Sequence, residues 1–219
     1  MTGRRIPRFI VAERVSHWLY AAFFLVALIS GILMWIPSTR AWMSGARHTV
    51  ATYHGVIGLL MVGLPLVLLL ILDRRRLAAD FHEVDAWDGD DSRWFWAALR
   101  GGTILKREMP PQGRLNAGQK VNSVFVAAMA VGFALTGALL LARAHVPAWL
   151  VSRALWMHSF LAVAAVALFL GHVGHVAFTK HGWTYLSAMV RGSLAEETAR
   201  ERHFKWWAAS QEKEDHPPQ

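Results

Sequence analysis

Residues 154–179 read ALWMHSFLAVAAVALFLGHVGHVAFT, and this stretch decides the fold. It contains no Asp, Glu, Lys or Arg, and as a helix it is long enough to cross the ~30 Å hydrocarbon core of a bilayer. His158 and His172 both lie within it. Their separation of fourteen residues (172 − 158) falls roughly 40° short of four whole helical turns and covers ~21 Å, so both side chains lie on one face at two depths.

Three further stretches have the same character, and together they predict an all-α integral membrane fold, a bundle of four transmembrane helices. Their expected bounds are about 15–36, 49–72 and 121–142, beside about 154–179 for the quoted stretch. Pro37 ends the first stretch and Asp73 ends the second. Of all residues, 54% are hydrophobic and only 17% are charged, which suits a chain that lies mostly within lipid.

The composition also excludes several classes of function. The formal net charge of +8 does not indicate nucleic-acid binding, because the basic residues cluster beside the apolar stretches, where they act as topology signals. The chain has no cysteine, which excludes disulfides, cysteine-ligated iron–sulfur clusters and haem attached through a Cys-x-x-Cys-His motif. Any redox cofactor must therefore be held by other side chains, and the 11 histidines are the obvious candidates. No clear cleavage site follows the N-terminal arginines, so the first span is expected to remain.

Lysine and arginine residues near the ends of the spans predict the orientation. One set lies in the N-terminal segment and in the loop between spans two and three: Arg4, Arg5, Arg8, Arg14, Arg74, Arg75, Arg76, Arg107, Arg114 and Lys120. The opposite side carries a smaller set: Arg40, Arg47, Arg143 and Arg153. By the positive-inside rule, the N-terminal segment 1–14, the loop 73–120 and the tail 180–219 are cytoplasmic, so both termini lie on that side.

The loop and the tail both contain aromatic residues beside charged ones. After an acidic part of the loop, Trp94-Phe95-Trp96 predicts a short interfacial helix along the headgroups. In the tail, charges of both signs together with Trp206 and Trp207 predict a cytoplasmic helix that docks on the membrane or on a partner. No internal repeat is evident in the chain.

Four histidines form two pairs at matching depths. His17 opens span one on the cytoplasmic side, level with His172, and His54 opens span two on the outer side, level with His158. A haem iron with two axial imidazoles fits each pair, and the core of a helical bundle is a usual place for such a cofactor. We therefore expect two haem b groups within residues 15–179. The predicted iron ligands are His17 and His172 for the inner haem, and His54 and His158 for the outer haem.

Plainer interpretations exist for these residues. A lone histidine within a membrane can hydrogen-bond across helices or relay protons. Glycines near the predicted ligands can bring helices close to a porphyrin, or they can serve ordinary helix packing; they are Gly55, Gly58, Gly171 and Gly174. His175 points roughly 100° away from the face of His158, so we expect a polar contact or a proton path rather than iron. Four other histidines are expected at the surface: His48, His145, His181 and His203.

Several short motifs resemble one family over nearly the whole chain. The first are Ser16-His17-Trp18, Ser30-Gly31 and Tyr53-His54-Gly55 in the first two spans. The segment Leu115-Asn116-Ala117-Gly118-Gln119-Lys120 before span three is the most specific of them, and His158 with His172 follows in span four. Met189-Val190-Arg191-Gly192 and Arg202-His203-Phe204-Lys205-Trp206 continue the likeness in the tail. The chain resembles the gamma subunit, cytochrome b556, of membrane-bound respiratory formate dehydrogenases.

The resemblance implies the same ligand pairs, and it adds a quinone pocket beside the inner haem, formed by the segment with Asn116, Gly118 and Gln119. Without it, Asn116 would be read as a helix cap with Gln119 in the first turn of span three. Two features depart from the family pattern: His175 is not required by it, and Phe204 replaces a more polar residue.

The resemblance further implies a complex in the bacterial inner membrane. A molybdenum- or tungsten-containing catalytic subunit would oxidise formate, and an iron–sulfur subunit would pass the electrons to the outer haem. They would then cross to the inner haem and reduce quinone. Two alternatives stay open. One is the cytochrome b of a membrane hydrogenase or another b561-like quinone reductase, and the other is a haem-free membrane anchor or proton-conducting subunit.

Overall fold

The computed structural model describes residues 3–101 and 108–215. Arg107, one of the residues used to predict the orientation, lies outside the described residues. The chain divides into two compact units. The span unit comprises Ala12–Arg74 and Ala127–His175, and the terminal unit comprises the described parts of Met1–Val11, Arg75–Val126 and Val176–Gln219.

Nearly all of the regular structure is helical. In chain order the helices are α1 (Val11–Trp35), α2 (Pro37–Trp42), α3 (Arg47–Asp85), α4 (Gly89–Leu99), α5 (Ala117–Leu141), α6 (Ala148–Phe178), α7 (Lys180–Arg191), α8 (Glu196–Arg202) and α9 (Phe204–Asp215). A 3-10 turn, Arg143–His145, precedes α6, and two short strands are β1 (Arg5–Pro7) and β2 (Ser193–Ala195).

Four helices are long and apolar enough to cross a membrane within the described part of the chain: α1, α3, α5 and α6. This confirms the number of spans that the sequence predicts. Many of their apolar side chains lie exposed, such as Ile71 at 75%, Leu135 at 64% and Val163 at 62%. A helix that is apolar on all sides and exposes such side chains is stable where lipid, not water, surrounds it.

The second span is broken at its predicted end. The backbone of Asp73 is non-helical (φ −159°, ψ 79°), so α3 consists of two helices joined by a kink, an apolar one before Asp73 and a second one that runs to Asp85. Asp73 therefore ends the apolar helix, as expected. The residues after the kink begin with three arginines, which are costly to place in hydrocarbon, and from Arg75 onwards they belong to the terminal unit.

The loop predicted between spans two and three contains a helix, α4, which includes Trp94-Phe95-Trp96 as expected. Asp88 caps it by accepting hydrogen bonds from the backbone N–H groups of Asp90 and Asp91, at 2.8 and 2.9 Å. The Asp91 carboxylate accepts in return from the N–H of Asp88 (3.1 Å), which completes a capping box. The Nζ of Lys120 donates to Asp91 at 2.8 Å, and both side chains are buried. The position of α4 along the headgroups stays a prediction.

The terminal unit contains a sheet that the sequence does not reveal. Strand β1 pairs antiparallel with β2, with Ile6 opposite Leu194. Both side chains are buried with Ala188 and Ala199 in a small core. α7 ends at Gly192, whose φ of 81° is left-handed and favours glycine. The tail thus forms three helices and a strand, in place of the single helix that we expected.

The prediction that His203 lies at the surface is wrong. Its side chain is fully buried. Nδ1 donates to the carbonyl of Gly113 at 2.7 Å, so Nε2 accepts from the Tyr185 hydroxyl at 3.0 Å. Burial first, and then the charge of Arg8, lowers the pKa of His203 from 6.5 to about 3. The contact with Gly113 joins residues ninety positions apart, which explains why local sequence gave no sign of it.

The other three histidines assigned to the surface fare differently. His48 and His145 are exposed, as expected, and His181 is only partly exposed. The Nε2 of His181 accepts a hydrogen bond from the Nη2 of Arg202 at 2.6 Å.

Candidate functional site

The span unit brings His54 of α3 and His158 of α6 together. Their ring centroids lie 6.0 Å apart with an interplanar angle of 67°. Phe133 packs edge-on against His158 at 5.1 Å. Two imidazoles from separate helices therefore face each other.

A hydroxyl group holds each of these two rings. The Nδ1 of His54 lies 2.9 Å from Oγ of Ser30 on α1, and the Nδ1 of His158 lies 2.9 Å from Oγ1 of Thr136 on α5. Each hydroxyl donates its own hydrogen to a backbone carbonyl one turn earlier, of Val26 at 2.8 Å and of Gly132 at 2.7 Å respectively. In the tautomer that keeps Nε2 free for a metal, each hydroxyl oxygen accepts from Nδ1–H. The Nε2 atoms of both rings are then unprotonated and able to bind a metal.

A glycine follows each hydroxyl residue and makes room for the ring. A Cβ at Gly31 would lie 3.3 Å from Cε1 of His54, and one at Gly137 would lie 3.9 Å from Cε1 of His158. Of the glycines noted beside the ligands, Gly55 serves helix packing, since a Cβ there would meet the Leu141 side chain at 2.8 Å. At Gly58 a Cβ would meet nothing within 4 Å.

The second pair is His17 of α1 with His172 of α6. The ring centroids are 6.4 Å apart and the planes meet at 58°. Trp18 packs edge-on against His17 at 5.3 Å. Neither imidazole forms a hydrogen bond to another described residue, and a Cβ at Gly171 would meet open space. His175 belongs to neither ring pair, and its role stays a prediction.

Both spacings fit a haem iron bound between two imidazoles. With iron about 2.0 Å from each nitrogen and each ring centroid about 1.1 Å beyond it, the centroids would lie ~6 Å apart. The observed values of 6.0 and 6.4 Å agree with this. Among the residues that the structure describes, no group of three or more His, Asp or Glu could hold a bare metal ion. Pairs are what haem requires, because the porphyrin supplies the other four nitrogens.

The predicted quinone residues lie at the start of α5, in the terminal unit. The side-chain Oδ1 of Asn116 accepts from the backbone N–H of Gln119 at 2.9 Å, and Oε1 of Gln119 accepts from the backbone N–H of Asn116 at 3.0 Å. Since a backbone N–H can only donate, the oxygens of both amides must face the helix. Their NH₂ groups have no partner within the described ranges. Asn116 and Gln119 thus form a capping arrangement that leaves two NH₂ groups available as donors.

Neighbouring residues fix this cap. Trp94 lies against Gly118, where a Cβ would come within 3.1 Å of the indole ring. The Nη2 of Arg8 donates to Oε1 of Gln119 at 3.2 Å and to the carbonyl of Arg114 at 2.6 Å. Arg8 is 3% exposed. The Gln119 oxygen therefore has two donors, which holds its amide in one orientation.

Sequence reasoning missed three residues that contact the predicted site residues. Ser30 was noted only as part of a motif, whereas Thr136 and Arg8 were given no role at the site. One signal was present, because a hydroxyl residue followed by glycine occurs both in span one and in span three. A dipeptide is too short to be recognised as a repeat without the structure.

Comparison with known proteins identifies the family of the chain and several of its relatives. Residues 8–192 match the family of prokaryotic cytochrome b561. The chain is 27% identical over 209 residues to the cytochrome b556(fdo) subunit of formate dehydrogenase from Escherichia coli strain K12, covering 92% of each chain. Subunits of the same name from the O6:H1 and O157:H7 strains give the same values. As its motifs indicated, the chain resembles a formate dehydrogenase cytochrome subunit. It is a multi-pass membrane protein and belongs to the prokaryotic cytochrome b561 family.

Proposed function

We propose that this chain is the di-haem cytochrome b subunit of a respiratory formate dehydrogenase, which anchors the complex and carries electrons to quinone. One observation carries the proposal: two histidine pairs stand at the spacing of a bis-imidazole haem, and α6 supplies one histidine to each. Haem b bound at each pair would supply reversible one-electron transfer. The family to which the chain belongs consists of b-type cytochromes, which supports this cofactor.

The residues of the chain have defined tasks in this function. His17, His54, His158 and His172 present nitrogen ligands from rigid helices. The apolar helices exclude water and counter-ions, so the electron route lies in a medium of low dielectric. Along α6, the two ligand pairs are separated by ~21 Å of helix rise. A haem at each pair would therefore divide the path of an electron across the membrane into shorter steps.

The distribution of basic residues supports an orientation with both termini on the cytoplasmic side of the inner membrane. In this orientation the pair His54/His158 lies towards the outer face and receives electrons, and the pair His17/His172 lies towards the cytoplasm. Inward electron movement and proton uptake from the cytoplasm both add to the membrane potential.

Quinone reduction is assigned to the start of α5. A quinone carbonyl accepts hydrogen bonds, and the two amide NH₂ groups of Asn116 and Gln119 are donors. Trp94 lies against Gly118, so the two amide groups, not the glycine, support this assignment. The capping bonds therefore support the binding function, because they turn both donors outward.

The relatives are formate dehydrogenase subunits, and this favours an iron–sulfur subunit and a molybdenum- or tungsten-containing catalytic subunit as partners. Formate oxidation would lie in the latter. The second candidate, a hydrogenase cytochrome b, is compatible with the family match, but the relatives do not favour it. Affinity purification of the tagged chain from its own membranes, followed by mass spectrometry and metal analysis, distinguishes the two. Molybdenum or tungsten supports formate dehydrogenase, and nickel supports hydrogenase.

A pyridine haemochrome assay on the purified protein tests the cofactor. We expect about two haems per chain, one for each bis-imidazole pair. His172→Ala should remove one haem and His158→Ala should remove the other. The surface control His48→Ala should retain both haems. A folded protein without haem would leave the membrane anchor or proton-conducting subunit as the remaining function.

A further inference from the structure

The two histidine pairs differ in how their rings are supported. At the pair His54/His158 each Nδ1 lies 2.9 Å from a hydroxyl oxygen, to which it donates in the tautomer that leaves Nε2 free for iron. Both imidazoles of the pair His17/His172 lack any hydrogen-bond partner in the part of the chain that the structure describes. The spacing of the two pairs is nearly equal, so the hydrogen bonds are the main difference in their ligation.

A hydrogen bond at Nδ1 changes the ring as a ligand. It fixes the tautomer and the ring orientation, and it makes Nε2 more basic. A more basic ligand stabilises the ferric state of a haem more than the ferrous state, so the reduction potential falls. In this chain the effect acts on both axial ligands of one haem and on neither ligand of the other.

We propose that Ser30 and Thr136 are positioning residues, which fix the rings of His54 and His158 and lower the reduction potential of a haem at this pair below that of a haem at His17/His172. This inference rests on the proposed function. An electron that enters a haem at His54/His158 would then move to the haem of higher reduction potential at His17/His172. The first haem would be oxidised as the second is reduced. One electron moves, and neither hydroxyl gives up a proton.

The two supports are equivalent in construction, which argues against coincidence. Each consists of a hydroxyl residue followed by glycine on the membrane-spanning helix that precedes the ligand helix in the chain. Each hydroxyl donates to a carbonyl of its own helix and accepts from the ring. A Cβ at Gly31 would lie 3.3 Å from Cε1 of His54, and a Cβ at Gly137 would lie 3.9 Å from Cε1 of His158. A Cβ at Gly31 would crowd the imidazole of His54, whereas a Cβ at Gly137 would only reach ordinary van der Waals contact with His158.

Redox titration of the purified holoprotein, followed in the visible spectrum, is the direct test. Ser30→Ala and Thr136→Val should each move the lower midpoint potential upwards and leave the higher one in place. The conservative variants Ser30→Thr and Thr136→Ser should keep the wild-type potentials. The matched controls are Thr52→Val on α3 and Ser152→Ala on α6. Their hydroxyls lie on the ligand helices but donate only to the backbone carbonyls of His48 and Ala148.

Haem transfer to apomyoglobin gives a second readout, independent of potential. Loss of a supporting hydrogen bond should weaken retention of one haem about 10–100-fold. If Ser30→Ala loses that haem and Ser30→Thr keeps it, the hydroxyl is responsible. Loss in both variants would show that packing, not hydrogen bonding, holds His54, and would overturn the proposal.

The two hypotheses fail differently. A purified wild-type protein without haem would refute the proposed function and this inference together. A protein with two haems whose potentials do not respond to Ser30→Ala or Thr136→Val would refute the inference alone. So would a wild-type protein in which the haem removed by His172→Ala has the lower potential.

Discussion

Lowering the pH should destabilise the terminal unit through His203, which is buried against Tyr185 and Trp206. Burial, aided by the charge of Arg8, lowers the pKa of this imidazole from 6.5 to about 3. The unfolded chain therefore takes up a proton near pH 6.5, whereas the folded chain does so only near pH 3. The stability that depends on neutral His203 is complete above pH 6.5 and is lost as the pH falls through this window. Between pH 7 and pH 4.5 the loss is about 2.5 kcal/mol.

Hydrogen exchange of the α7–α9 amides, in lipid nanodiscs and corrected for the intrinsic pH dependence of exchange, measures this local free energy. The non-titrating variant His203→Gln should be less stable at pH 7, by roughly 1–3 kcal/mol for the altered hydrogen bonds, and nearly independent of pH down to 4.5. Asp88 does not confuse the comparison: a hydrogen bond from Lys205 lowers its pKa to about 2, so it titrates at lower pH. Equal pH slopes in the wild type and the variant would refute the assignment of this transition to His203.

Three further predictions follow from single contacts. Lys120→Met should destabilise the terminal unit by ~3–5 kcal/mol, since it leaves the Asp91 carboxylate buried without its positively charged partner. Adding Asp91→Leu should recover most of this loss in a thermal unfolding assay. A double variant that shows no recovery would contradict the prediction. Gly55→Ala places a Cβ 2.8 Å from a Leu141 methyl group and should cost ~1–3 kcal/mol in the same assay, whereas Gly58→Ala, in open space, should cost little. Gln119→Glu should keep the cap, because a carboxylate still accepts from Asn116 and Arg8, but should raise the KM for quinone about tenfold through loss of a donor. An unchanged KM would remove Gln119 from the quinone site.

The features that the sequence predicted well are those set by local composition and helical spacing. The spans follow from apolar stretches, and the partners of His158 and His172 follow from the rise per residue, since the rings do meet in pairs. The capping arrangement of Asn116 and Gln119 was also visible, because such caps depend on residues only three positions apart.

The features that the sequence did not predict depend on distant residues. β1 and β2 are three residues long, too short for alternation to show, and they pair across nearly the whole chain. Lys120 and Arg114 were counted as topology signals, yet both are buried in ion pairs, Arg114 with Asp80 and Glu83. Positive charge near a span thus has structural as well as topological roles. His203 belongs to the same class, because its burial is created by residues from three separate segments.

Two independent counts along the helices agree on the depths of the ligand pairs. From His172 to His158 along α6 the rise is fourteen residues, ~21 Å. From His17 to Ser30 along α1 it is thirteen residues, ~20 Å. The ring contact between His17 and His172 joins one end of these paths, and Ser30 joins the other through His54, which faces His158. Because the two rises differ by only ~1.5 Å, α1 reaches one ring pair through His17 and the other through Ser30 without bending. The same helix therefore contributes to both pairs, with a ring at one and a hydroxyl at the other.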